Sequence, residues 1–317
     1  MEWLLDCMIV PSRGSKLRVS RISWMAAVAV VTTFCCGCAV SQKTTVKPGE
    51  APAPLQTATK EQLIAAYNKL AAAVTSVNAT VTMKLTAGSA YSGVIEQYHE
   101  VNGFILAQRP KNIRVIGQAP VVGKNIFDMV SDGETFHIYI PSKAKFIVGP
   151  ANLERPAKKP VENLRPQHLL DAIFLPAFPE GAPVLFEEAS EGASQYYVVT
   201  VIVPTGDGDA LNTAIKNWEI VRKIWFGRTD LSITRTEDYG PGGKLISDVL
   251  YSGWDTFGDV KYARQITFRR PADDYQLQIG VKKLMVNEPV SADRFVLQQP
   301  PGTELMDVGK ETQEQQP

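Results

Sequence analysis

The chain has 317 residues, 44% of them hydrophobic, and its 33 basic and 33 acidic side chains balance at pH 7. This balance argues against the broad positive surface with which proteins bind nucleic acid or anionic lipid headgroups. All four cysteines lie within the first 38 residues, so the rest of the chain has to be stabilised by packing, without disulfide bonds.

The first 37 residues have the three-part build of a secretory signal peptide. Its uncharged, largely apolar stretch, residues 22–34, is shorter than the roughly 20 residues that cross a bilayer as a helix. Gly37 precedes Cys38, as in sequences that lipoprotein signal peptidases cleave, although Cys35 stands where Leu is usual. We therefore predict cleavage before Cys38 and lipidation of that cysteine; an ordinary secretory signal with incidental cysteines is the alternative. The positive charges before the apolar stretch are Arg13, Lys16, Arg18 and Arg21.

These features predict four parts in the chain. They are a signal peptide (1–37), a lipid-anchored flexible tether (38–58), a single folded domain (59–305) and a polar tail (306–317). The tether contains three prolines and no apolar periodicity, as flexible linkers do. Ala39 stands where lipoproteins kept in the inner membrane often carry Asp. We therefore predict a lipid anchor in the outer membrane, at its periplasmic face, in a Gram-negative-type bacterium.

One amphipathic helix opens the predicted domain. Thr59 and Gln62 have the spacing of a capping box, in which each side chain accepts a hydrogen bond from the backbone of the other. Apolar residues then recur at intervals of three and four, which predicts a helix with one side packed on a sheet. These apolar positions are Leu63, Tyr67, Leu70, Val74 and Val77.

From Asn78 onwards apolar residues mostly recur with a period of two, which predicts β-strands. Asp132-Gly133 is the strongest hairpin signal, and a second short helix is predicted from Pro166 to Phe174. The expected fold is mainly β: one large curved antiparallel sheet, a half-open barrel, with helices on its concave side. The strands predicted after the second helix are 196–203, 219–226, 231–236, 247–252, 262–268, 275–281 and 282–286.

No sequence motif indicates an enzyme. His99, His137 and His168 are too far apart in sequence for a local metal-ligand spacing. The glycine-rich segment 240–244 lacks the spacing of a phosphate-binding loop, and segment 206–209 lacks the ligand pattern of a calcium-binding loop. There is also no GxSxG nucleophile motif. The sequence therefore predicts no catalytic residue, no metal and no cofactor.

The order of elements resembles the LolA/LolB superfamily of lipoprotein carriers and acceptors over roughly residues 59–300. Two segments carry the resemblance, GFILAQRPKNIRVIGQAPVVGKNIFDMVSDGETFHIYIP (103–141) and VNEPVSADRFVLQQPPG (286–302). The first contains the family's strand with Arg-x-x-Gly, its Pro-apolar-Gly corner and its strand ending in Asp-Gly. In this chain these positions are Arg114, Gly117, Pro120, Gly123, Asp132 and Gly133.

The resemblance implies that acyl chains or lipoproteins bind in an apolar cavity on the concave face. In a membrane-anchored member of the family, an apolar residue on an exposed corner loop helps to place cargo into the outer membrane. Val121 and Val122 occupy that corner here, where the family prefers Leu. The predicted cavity-lining residues are Leu70, Met83, Leu85, Ile113, Val115, Phe127, Met129, Phe136, Ile138 and Phe174.

Two functions are compatible with these observations. The first is a lipid-anchored outer-membrane lipoprotein that binds acyl chains or lipoproteins for transfer or insertion. The second is an envelope sensor or assembly factor that binds a periplasmic protein partner through the same fold. The membrane, through the lipid anchor, is a partner in the first hypothesis, and nucleic acid is a partner in neither.

Overall fold

The computed structural model describes residues 54–89, 94–151, 164–205 and 217–309. These residues belong to one unit that extends from Ala53 to Pro317. The predicted signal peptide, Cys38 and most of the tether lie outside the described ranges, as does segment 206–209. Neither helix within those ranges combines the length and the hydropathy needed to cross a membrane.

Two helices and fifteen strands make up the described part of the chain. The helices are α1 (Lys60–Ala73) and α2 (Pro166–Ile173). The strands are β1 (Ser76–Ser89), β2 (Val94–Gln97), β3 (Val101–Gln108), β4 (Asn112–Gln118), β5 (Asn125–Ser131), β6 (Thr135–Ile140), β7 (Lys145–Pro150), β8 (Val184–Glu191), β9 (Ser194–Thr205), β10 (Asn217–Gly227), β11 (Ile233–Gly240), β12 (Lys244–Phe257), β13 (Val260–Arg270), β14 (Tyr275–Val286) and β15 (Glu304–Asp307).

All of these strands belong to one open sheet. Its order is β15-β7-β6-β5-β4-β3-β1-β14-β13-β12-β11-β10-β9-β8, with β2 paired to β1 beside this path. Most neighbours are antiparallel and follow each other in sequence, whereas β1 pairs with β14 and so joins the two halves of the chain. The pairing of β15 with β7 is parallel. The predicted fold class, a mainly β chain with one large antiparallel sheet, is therefore confirmed.

The first helix begins as the sequence predicts but ends at Ala73, so Val77, predicted as part of its apolar side, lies in β1 instead. The backbone N–H of Gln62 donates to the Thr59 hydroxyl (3.3 Å), and the backbone N–H of Thr59 donates to the Gln62 side chain (2.8 Å). This capping box satisfies two backbone donors that a helix start leaves open. The apolar side of α1 is buried against the sheet at Leu63, Tyr67 and Ala71.

The second helix begins with Pro166 at its first position, where a missing backbone N–H costs nothing. Five of its eight residues are buried. Because both helices and the sheet contribute side chains to one continuous apolar cluster, the helices cover the concave face of the sheet. Alternate residues of the strands point into this cluster, as the period of two predicts.

The structure also contains elements that the sequence analysis did not predict. Strands β7 and β8 lack a clear alternation of buried and exposed residues, and β8, at one edge of the sheet, is mostly exposed. The segment predicted as two strands, 275–281 and 282–286, is the single strand β14. Its register with β1 shifts between Thr80 and Val81, where Lys282 of β14 is the extra residue of a bulge. The predicted end of the domain at residue 305 falls inside β15, so the sheet continues to Asp307.

Candidate functional site

The concave face of the sheet holds the residues predicted to line a cavity. Nine of the ten belong to the apolar cluster beneath the helices or pack against it. Phe136 is also buried, and the guanidinium of Arg165 lies 5.6 Å from the centroid of its ring. The structure therefore brings nine of these side chains to one cluster. Whether they contact a ligand stays a prediction.

The segment that begins at the end of α2 is held by four side chains from outside it. The hydroxyls of Tyr251 and Tyr262 donate to the carbonyls of Ala172 (3.2 Å) and Ile173 (2.9 Å). Further along, the terminal guanidinium nitrogen of Arg109 donates to the Leu175 carbonyl (2.8 Å), and the Tyr67 hydroxyl donates to the Pro176 carbonyl (2.7 Å). We call residues 172–176 the clasped segment.

These hydrogen bonds have a clear physical role. The last carbonyls of a helix have no partner within it, and a buried carbonyl without a partner costs about 1–3 kcal/mol. Tyr251 and Tyr262 supply donors from within the core. Burial raises the pKa of both hydroxyls above its ordinary value, and it raises that of Tyr67 to about 12, so all three remain protonated donors.

Arg109 connects the clasped segment to α1. Its Nε atom donates to the Val74 carbonyl (2.9 Å), and a terminal nitrogen donates to the Ala71 carbonyl (3.1 Å). The guanidinium also lies 4.8 Å from the centroid of the Phe174 ring. One side chain at the end of β3 thus holds both helices in place over the sheet.

The sequence analysis did not identify Arg109, Tyr251 or Tyr262. Each binds a carbonyl between 66 and 89 residues away in sequence, at Leu175, Ala172 or Ile173. The only signal in the sequence is an arginine placed directly after an apolar strand and before Pro110, which indicates no particular partner.

One small cavity lies beneath the helices in the described part of the chain. A cavity between α1, the clasped segment, and β12 and β13 has room for water of about 20 Å³, on the scale of one molecule. Leu70 is the predicted lining residue that borders it, together with Leu175, Trp254 and Ile266. An acyl chain therefore enters the concave face only if the helices or the clasped segment move.

A wider cleft of about 800 Å³ lies beside α1. One wall is formed by the outer side of α1, including Ile64 and Asn68, and the other by residues 177–182 and Val184. The Asn68 side chain accepts a hydrogen bond from the backbone N–H of Phe178 (3.2 Å), which ties the two walls together. This volume is in the range of small-molecule pockets.

The corner between β4 and β5 projects its valines into solvent. Val121 is 95% exposed and Val122 is 69% exposed. Gly123 has a φ of +63°, and its backbone N–H donates to the Ala119 carbonyl (3.1 Å), so the turn is closed by a residue free to adopt the left-handed region. Large exposed apolar side chains at a loop tip are a common feature of sites that contact membranes or partners.

A histidine and an aspartate on α2 have shifted pKa values. His168 forms a hydrogen bond through Nδ1 with the Tyr275 hydroxyl (2.9 Å). Burial, with Arg270 and Arg165 nearby, lowers the pKa of His168 to about 4. Burial and the neighbouring Asp238 raise the pKa of Asp171. Within the described ranges, no group of three His, Cys, Asp or Glu side chains is placed to hold a metal ion.

Comparisons with known proteins return only distant matches, all of them to solved structures. No family model and no curated protein matches it. A crystal structure of a LolA superfamily protein from Nitrosomonas europaea is 12% identical, with a TM-score of 0.43, and the match covers 76% of this chain and 99% of that one.

Two further solved structures are similar to a comparable degree. An outer membrane lipoprotein-sorting protein domain from Vibrio parahaemolyticus is 11% identical, with a TM-score of 0.43, over 74% of this chain and 94% of that one. A DUF1329 family protein from Desulfovibrio piger is 13% identical, with a TM-score of 0.41, over 74% and 97%. At these values the matches carry no conclusion about this chain.

Proposed function

We propose that this protein is a lipid-anchored lipoprotein of the outer membrane that holds acyl chains, free or on a lipoprotein, between its helices and the concave face. In this proposal Cys38 carries the anchor and the protein transfers its cargo to the membrane without chemical reaction. The observation that carries the proposal is the clasped segment: an apolar concave face covered by two helices that a few side-chain hydrogen bonds hold down.

The energetics suit reversible binding. Burial of apolar surface contributes about 25 cal/mol per Å², so an acyl chain that replaces helix side chains on the concave face retains much of the apolar burial. Opening has to break the hydrogen bonds that Tyr67, Tyr251, Tyr262 and Arg109 make to the clasped segment. Each tyrosine bond has a net contribution on the order of 1 kcal/mol, and the bond from charged Arg109 contributes about 1.5–3 kcal/mol. Binding of a cargo can supply this free energy, and the segment can close again when the cargo passes to a membrane.

The direct test is acyl-chain binding by purified protein from which lipid has been removed. We expect saturable binding of a fluorescent fatty acid, with competition by unlabelled palmitate and a blue shift of the probe's emission on entering the apolar interior. The absence of saturable binding, in protein whose circular dichroism and thermal unfolding remain cooperative, would rule out the proposed function.

The exposed corner predicts a separate effect on transfer. Val121→Glu places a charge where an apolar side chain would enter the headgroup region. We expect the fatty acid to bind the variant as it binds the original protein, but to pass to phospholipid vesicles roughly tenfold more slowly. Leu185→Glu is the matched control, because Leu185 is also exposed, at 55%, but lies in β8 at the edge of the sheet furthest along the strand order from this corner. Equal transfer rates for both variants would exclude a membrane-contact role for Val121 and Val122.

A protein-binding function is the second candidate, and one observation favours it. The interior is nearly filled, whereas the 800 Å³ cleft beside α1 is open and large enough to receive side chains of a partner. A folded protein that binds no acyl probe and also fails to exchange lipid with vesicles would favour the sensor or assembly-factor reading over the carrier reading.

A further inference from the structure

Polar and charged residues form a row across the concave face near one end of strands β10 to β13. Arg222 pairs with Asp238 in the strand register, and Asp238 pairs with Ser247. In the next pair of strands, Asp248 pairs with Arg269. Because these strands are antiparallel, Ser247, one residue before Asp248, lies beside Arg270, one residue after Arg269. The row therefore reads Arg222, Asp238, Ser247, Arg270 across four adjacent strands, each about 4.8 Å from the next.

This row lies on the same face as the apolar core. The next row on this face lies two positions further along each strand and consists of Ile224, Thr236 and Val249. Ile224 and Val249 belong to the apolar cluster. Since side chains two residues apart share a face, the concave surface changes from apolar to charged within one step. A ligand that lies along the strands would meet both surfaces.

Asp171, an exposed residue of α2, lies near enough to this row for its charges to act on the Asp171 carboxyl. Its electrostatic neighbours are Asp238, Arg222 and Arg270. Arg222 donates through Nε to Asp238 (2.5 Å), and Arg270 donates through Nε to Asp273 (2.7 Å). Each arginine thus has its own carboxylate partner, and Asp171 is a third carboxylate added to these two pairs.

The row has hydrogen-bonding capacity that these pairs do not use. A guanidinium has five N–H donors. The Nε donor of each arginine binds a carboxylate, and Arg222 also interacts with the Tyr67 hydroxyl, which leaves further donors on both side chains. The Ser247 hydroxyl is buried, with the residue 5% exposed, and it makes no hydrogen bond within the described part of the chain. Such a group in the middle of a charged row indicates a missing polar partner.

One end of the row, at Arg222 and Asp238, is accessible to solvent. The side chains of Arg222 and Asp238 are 20% and 26% exposed, so solvent reaches the pair although it lies on the inner face. Holding several charges in such a place is costly, and an ion pair of this kind is weak evidence for a role in stability.

We propose that Asp171, Arg222, Ser247 and Arg270 form a headgroup site for an amphiphile that carries an ammonium and a phosphate group, of the phosphoethanolamine type. The ammonium would pair with Asp171, while the phosphate oxygens would accept hydrogen bonds from the two arginines and from Ser247. A purely anionic headgroup would lack a partner for Asp171 and would be repelled by it. This headgroup site rests on the proposed function. It adds to that function the direction in which the acyl chains lie on the concave face.

The experiment compares two short-chain lipids that differ only in the headgroup, dihexanoyl phosphatidylethanolamine and dihexanoyl phosphatidylglycerol, as monomers in solution. The purified full chain, stripped of lipid, is titrated with each lipid by calorimetry and, separately, with the fluorescent fatty acid. We expect about tenfold tighter binding of the ethanolamine lipid. Asp171→Asn removes this preference and does not weaken fatty-acid binding, because the anionic carboxylate of the fatty acid gains nothing from Asp171. The double variant R222Q/D238N, which removes one charge of each sign, weakens both phospholipids about fivefold or more. D259N, at an exposed aspartate elsewhere, is the control and changes neither.

The outcomes separate this inference from the function on which it rests. If the fatty acid binds but the two phospholipids bind equally, or if D171N and R222Q/D238N retain the original preference, the row is an internal ion-pair network and the headgroup site is wrong. If no acyl probe binds at all, the carrier function itself fails, and the headgroup site fails with it.

Discussion

Replacing Arg109 with methionine is expected to lower the free energy of unfolding by about 3 kcal/mol and to speed entry of a fluorescent fatty acid about tenfold. Methionine keeps much of the side-chain volume but leaves the carbonyls of Ala71, Val74 and Leu175 without the donor that now binds them. Hydrogen bonds from a charged donor contribute about 1.5–3 kcal/mol each. The contributions of the three Arg109 bonds are not additive, so the expected loss of stability is about that of two such bonds.

The faster entry follows from the same contacts. If the site has to open before the probe enters, its apparent affinity is reduced by the small fraction of open molecules. Weakening the clasped segment raises that fraction. Urea denaturation measures the stability change, and stopped-flow fluorescence with the fatty acid measures the entry rate.

Arg264 provides a matched control for Arg109. It also lies near an aromatic ring, 4.9 Å from the centroid of Phe257, and it also donates hydrogen bonds, to the Asp255 carboxylate. The Arg264–Asp255 pair is well exposed, so Arg264→Met is expected to cost less than about 1 kcal/mol and to leave the entry rate unchanged. A loss of stability in Arg109→Met without any change in entry rate would show that the clasped segment does not control access to the interior.

The free energy of unfolding of the original protein is expected to fall as the pH is lowered from 6.5 to 4, and His168→Gln is expected to show a smaller fall. In the folded state the pKa of His168 is about 4, against an ordinary value near 6.5. Between these values the unfolded chain binds a proton that the folded chain does not, so the stability contribution is complete above pH 6.5 and is lost as the pH falls towards 4. The difference amounts to at most about 3 kcal/mol, since one pKa unit corresponds to about 1.36 kcal/mol.

The charged groups around His168 make the comparison between variants necessary. Arg270, Asp273 and Arg165 act on the same ring. Asp171, on the same helix, has a raised pKa, so its contribution runs in the opposite direction: it is complete at low pH and is lost as the pH rises through the folded-state pKa. The difference between the original protein and His168→Gln isolates the histidine, because glutamine does not titrate and can still contact the Tyr275 hydroxyl.

Urea midpoints measured from pH 4 to 8 provide the test for His168. His99→Gln serves as the control, because His99 is an exposed histidine outside the strands. Identical pH dependence of stability in the original protein and in His168→Gln would contradict the assignment of a buried, neutral His168 held against Tyr275.

The sequence by itself determined the class of fold and the inner face of the sheet. Residues that alternate with a period of two have only two sides to occupy, so Met83, Ile113 and Met129 could be placed on the inner face without any coordinates. The start of α1 was equally predictable, because a capping box is a contact between residues three apart. The exposed corner at Val121 follows from a Pro-apolar-Gly turn that is local as well.

Only the tertiary structure decided how the helices are held over the sheet and where the charged row lies. The hydrogen bonds of Arg109, Tyr251 and Tyr262 to the clasped segment join residues 66 to 89 positions apart. Strand order alone brings Ser247 between Asp238 and Arg270, and the packing of α2 sets Asp171 opposite them. A local sequence pattern indicates whether a residue is buried or exposed, but it does not indicate which residue far away in sequence contacts it. That contact depends on how the whole chain packs.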